Sequence, residues 1–125
     1  MGDELRVEER DGRLVAIVGL SATPTGATGR LRIAAVDRTI LVRPASGDAS
    51  WPLDWDLSAG AAPQRAELAL VPNNCNPHVV AEDKRGTFFP LEAELDDGTT
   101  GLVPLPVSDE VRGAIYAFIG DACGW

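Results

Sequence analysis

A thiol, an imidazole and two carboxylates fall close together in one short stretch: Cys75, His78, Glu82 and Asp83. The surrounding segment, residues 73–86, also holds the chain's only lysine, Lys84, and all of its asparagines. Three chemistries could be built from this set. His78, Glu82 and Asp83 could ligate a divalent metal with help from a Cys75 thiolate, but zinc wants three or four protein donors and the set is thin. Cys75 and His78 could form a nucleophile pair, given an ionised sulfur aimed at the imidazole and an oxyanion hole. The mixed charges of Glu82, Asp83, Lys84 and Arg85, with Asn76 and His78, could instead form a recognition loop on a rigid scaffold, making the domain a non-catalytic binding module, or the motif could simply specify the fold of a structural one. Phosphate-cradling glycine loops and the HExxH and GxSxG patterns are absent, so no catalytic motif is found and no cofactor is called for.

The local conformation of the segment follows from its residue types. Asn76-Pro77 reads as a helix start, with Asn76 as cap and Pro77 at the first helical position, where a missing N–H costs nothing. Residues 77–83 then make a short helical turn. Lys84 and Arg85 complement its negative end, and Gly86 suits the left-handed conformation that closes it. His78 and Glu82 are four residues apart and share a face, while Val79 and Val80 point to the core.

The run Cys75-Asn76-Pro77-His78-Val79-Val80-Ala81-Glu82-Asp83-Lys84-Arg85-Gly86-Thr87 resembles a motif of uncharacterised extracytoplasmic actinobacterial proteins, Cys-Asp-Pro-His-Ala-Val-Ala-Glu-Asp-Lys-Arg-Gly-Thr. The resemblance extends through Phe89-Pro90, the Asp97-Gly98 turn and Val107 to Cys123-Gly124. This family carries no assigned activity to transfer. Its members are exported or membrane-anchored, which implies an extracytoplasmic location for the full-length form of this chain. Asn76 replaces the usual aspartate and removes a carboxylate that a hard cation would use. Val79 replaces the usual alanine and keeps the core contact.

The bulk properties narrow the function classes. A net charge of −8 and a pI near 4.5, with basic residues scattered, would repel a phosphate backbone, so nucleic acid is not an expected partner. The longest apolar run, residues 14–20, is far short of the ~18 residues of a membrane span, and no membrane insertion by this chain is expected. The acidic, alternating start is the opposite of a signal peptide. The expected partner is a protein or small ligand at the cell surface. Cys75 and Cys123 are an even pair, compatible with one disulfide and an oxidising compartment, or with two unrelated buried thiols.

The elements that must carry this segment are mostly strands. At 125 residues with 45% apolar and 24% charged composition, one globular domain spanning 1–125 is expected. Asp11-Gly12 between apolar-alternating runs at 5–9 and 14–20 signals a hairpin, and Asp96-Asp97-Gly98 between 87–95 and 100–107 signals a second. Residues 21–29 read as a loop, and 31–35, 39–43 and 64–71 as further strands. Trp51, Leu53, Trp55 and Leu57 alternate as an edge strand or extended loop whose indoles pack on the core, or else form an exposed aromatic platform. Pro90, Pro104 and Pro106 place their strands at edges or bulges. Ser108 caps a helix over 109–121, with Val111, Ala114, Ile115, Phe118, Ile119 and Ala122 at helical spacing. The expected fold is mainly β: an antiparallel two-layer β-sandwich, immunoglobulin-like in the broad sense, with one C-terminal helix and a short helical turn near 77–83.

Overall fold

The computed structural model describes residues 2–24, 30–58, 60–82 and 86–125. The elements run β1 (Gly2–Arg10), β2 (Arg13–Ala22), β3 (Leu31–Asp37), β4 (Val42–Pro44), β5 (Ser50–Asp56), β6 (Gln64–Pro72), α1 (Pro77–Glu82), β7 (Phe88–Leu95), β8 (Thr100–Pro106) and α2 (Asp109–Cys123). Two four-stranded antiparallel sheets, β1-β2-β6-β4 and β5-β3-β7-β8, pack as a sandwich. With β5 set aside, the order is that of a constant-type immunoglobulin sandwich. In that frame the first, second, fifth and fourth strands form one sheet, and the third, sixth and seventh the other. β5 enters the chain between the fourth and fifth strands of the frame and joins the edge beside the third.

Both expected hairpins form. Asp11 and Gly12 take positive φ values of 52° and 80°, a type I′ turn whose twist matches that of the strands it joins, and Arg10 faces Arg13. In the second hairpin Pro90 faces Pro104 and Phe88 faces Pro106. Neither proline of the first pair can donate, so these are non-hydrogen-bonded positions, and Pro104 and Pro106 turn their missing donors toward the open edge of β8.

Two spans differ from the sequence pattern. The strand expected over 39–43 begins only at Val42, because the Thr39 hydroxyl accepts from the Leu41 and Val42 amides at 3.1 and 3.2 Å and holds the chain in a turn. The indoles of β5 are buried, but not through simple alternation. Facing positions lie two residues apart in β7 (Leu91, Ala93), three in β3 (Ile33, Val36) and four in β5 (Trp51, Trp55). The sheet therefore carries a stacked bulge. Asp54 accommodates it at φ 53° and holds Arg32 in an ion pair. Leu53 and Leu57 are left half-buried.

The core joins both sheets to α2. Trp51 meets Phe89 edge-on at 6.0 Å, and its indole N–H donates to the Ala69 carbonyl at 3.0 Å. α2 packs along β1, β2 and β6, burying Val111, Ile115, Phe118 and Ile119. Its start is fixed twice: the Ser108 hydroxyl accepts from Val111 N–H, and Ser108 N–H donates to Asp3 at 2.7 Å. The helix runs on to Cys123, beyond the 109–121 span that spacing predicts, and ends at Gly124 with φ 78°. On the outer face of the first sheet, Val15, Ile17 and Val71 form a second buried cluster. Arg6 reaches across β2 to Glu67, and Arg13 across β6 to the Ala45 carbonyl, so their aliphatic stems shield this apolar stripe.

Candidate functional site

The segment 73–86 is the crossover from β6 in one sheet to β7 in the other, and its asparagines are its joints. Asn73 N–H donates to Leu41 O at 2.7 Å, and its side-chain amide donates to Thr39 O at 3.2 Å, which ties the crossover to the turn before β4. Asn74 Oδ1 accepts from Asn76 N–H at 2.8 Å, and Asn76 Oδ1 accepts from His78 N–H at 2.9 Å. The second bond is the expected helix cap: it satisfies one of the orphan donors of α1. Val80 is buried, Val79 half-buried.

Cys75 is bridged to Cys123, with Cα atoms 5.5 Å apart, so the crossover is clasped to the last residue of α2. A second grip comes from Trp125, whose indole N–H donates to Cys75 O at 3.2 Å. Trp125 is itself placed by the helix end, where its N–H donates to Gly120 O. The half-exposed indole thus lies across the clasp.

Within this frame the candidate residues separate. Asn76, His78 and Glu82 are exposed; His78 and Glu82 stand one helical turn apart, and neither side chain makes a hydrogen bond or ion pair among the described residues. Asp83, Lys84 and Arg85, and the helix-end role expected of the two cations, lie outside the described residues. Among the described residues no group of three His, Cys, Asp or Glu side chains could hold a metal. The bridged sulfur of Cys75 is neither a thiolate ligand nor a nucleophile while the disulfide stands. The chain matches no known family model, curated protein or solved structure.

Perturbed carboxyls lie elsewhere. A hydrogen bond shared with Asp37 raises the Glu92 pKa on the outer face of the second sheet. Hydrogen bonds from Arg6 lower those of Glu67 and Glu8. Two shallow grooves open at opposite ends of the first sheet. One, of about 380 Å³, is lined by Arg13, Arg43, Cys75 and Asp121; the other, of about 620 Å³, by Glu4, Gly19, Ser21, Arg65 and Glu67. No buried side-chain N or O among the described residues lacks a hydrogen-bond partner. Sequence reasoning misses Trp125, a lone terminal aromatic, and the Asn73 to Thr39 link, whose partners stand far apart in the chain and share no pattern.

Proposed function

We propose that this domain is a non-catalytic extracytoplasmic binding or interaction module that presents the 73–86 crossover to a protein or small ligand at the cell surface. The observation that carries this reading is the clasp. A disulfide and an indole hydrogen bond fix the base of a turn whose outward side chains, His78 and Glu82, have no partner among the described residues. Fixing a loop before it meets its ligand lowers the ordering cost of binding. The disulfide supports an oxidising compartment, and the resemblance of residues 75–87 to exported proteins points the same way.

The test places a photo-crosslinking amino acid at position 78 of the full-length protein in its native envelope, with position 96, in the distant β7–β8 turn, as control. A discrete adduct from 78, absent from 96 and lost with Glu82→Ala, is expected. Equal labelling from both positions, or none from 78, overturns the reading.

A further inference from the structure

Each sheet ends in two open edges, and three of the four are closed to another strand. β4 is three residues long and ends in Pro44. β5 holds Pro52 and the bulge at Asp54, and β8 turns Pro104 and Pro106 outward. These are the usual devices against edge pairing. β1 has none of them: it runs nine residues in unbroken register with β2, without proline or bulge.

The pattern of β1 is complementary to itself. The two-residue turn hydrogen-bonds Arg10 to Arg13, so even-numbered residues of β1 direct their backbone groups at β2 and odd-numbered ones direct theirs at the open edge. We propose that β1 pairs antiparallel with β1 of a second copy about a two-fold axis at Val7, joining two four-stranded sheets into one of eight. In that register Val7, Leu5 and Glu9 supply the backbone hydrogen bonds. Arg6 faces Glu8 of the other copy and Glu4 faces Arg10, each pair occurring twice, as an isologous interface requires. Centring the pair on Arg6, Glu8 or Glu9 sets like charges opposite one another; centring it on Leu5 keeps the signs but shortens the ladder. Two further observations favour Val7. Its side chain is 49% exposed and would be covered by its own symmetry mate. Glu4 has no ion pair among the described residues and gains Arg10. The charges that deter a foreign strand thus admit a second β1. The net charge of −8 per copy opposes approach, but screening over about 8 Å at physiological salt confines that repulsion.

The experiment uses the full chain, in which both native cysteines are bridged, at physiological salt. Sedimentation equilibrium measures association of the parent, and oxidative cross-linking compares Val7→Cys with Glu9→Cys. In the proposed register the two copies of position 7 are a hydrogen-bonded pair with Cα atoms about 5.5 Å apart, within disulfide reach, whereas the two copies of position 9 are displaced by about 14 Å along the strand. Concentration-dependent dimerisation, rapid linking at 7 and little at 9 are expected. Glu4→Arg should weaken dimerisation by about tenfold, and adding Arg10→Glu should restore it. A parent that stays monomeric to millimolar concentration, or linking at 9 equal to or faster than at 7, overturns the proposal.

Discussion

Asn76 and His78 stand two positions apart and do different things. Asn76 points its amide oxygen at the backbone of α1, whereas the His78 ring faces solvent and touches no described partner. Asn76→Ala should therefore cost about 1 kcal/mol of stability, the usual value of a helix cap, while His78→Ala should stay within about 0.5 kcal/mol of the parent. Urea midpoints of the two variants decide the matter. If His78→Ala proves the costlier, the ring is holding structure and is not free to recognise a ligand. The sequence carried this distinction well, because an Asn-Pro start leaves little choice of cap. It could not place the side-chain amide of Asn73, whose partners at Thr39 and Ile40 are set by how the sheets meet.

Among the elements, α2 and the clasp make separable contributions. The helix has its own buried face in Val111, Ile115, Phe118 and Ile119, so it should survive loss of the bridge. Replacing both cysteines by serine frees a span of 48 residues, for which the chain-entropy model sets a loss of up to about 4 kcal/mol. We expect a drop of about 2–4 kcal/mol in guanidinium unfolding with the far-ultraviolet dichroism of the folded state unchanged. Loss of helical signal would show that the clasp, and not the apolar face, holds α2. The hairpins at Asp11-Gly12 and Asp97-Gly98, the Ser108 cap and the apolar spacing of α2 were all legible, because each is a local pattern with a local cause. β5 was legible only in part. Its indoles are buried as alternation suggests, but the extra residue at Asp54 answers to the registers of β3 and β7, which no window on β5 contains. The start of β4 was misplaced for the converse reason: the Thr39 hydroxyl competes locally with the ladder.

For the whole molecule, two sets of carboxylates pull stability in opposite directions with pH. Glu8 and Glu67, held by Arg6, and Asp56 and Asp97, held by hydrogen bonds from Ser58 and Thr99, have lowered pKa values. Their contribution is present above the ordinary carboxylate range and is lost as acid protonates the folded form. Glu92 has the reverse sign: its pKa is raised by Asp37, so its contribution is present in acid and is lost as pH rises through the folded value. Glu92→Gln, which cannot ionise, should melt higher than the parent at neutral pH, and the gap should close in acid. Calorimetry across the acid-to-neutral range checks this, and a gap that widens in acid would contradict the assigned sign.

Two of the three tryptophans sit on β5 and the third lies over the clasp. None stands on the sheet that bears β1, β2 and β6. Intrinsic fluorescence of this protein therefore watches one inserted edge strand, together with the seam that Trp51 makes with β6 and β7, and one covalent tether. A fluorescence transition that coincides with dichroism would mean that β5, although pairing with β3 alone, melts as one unit with the frame it was added to.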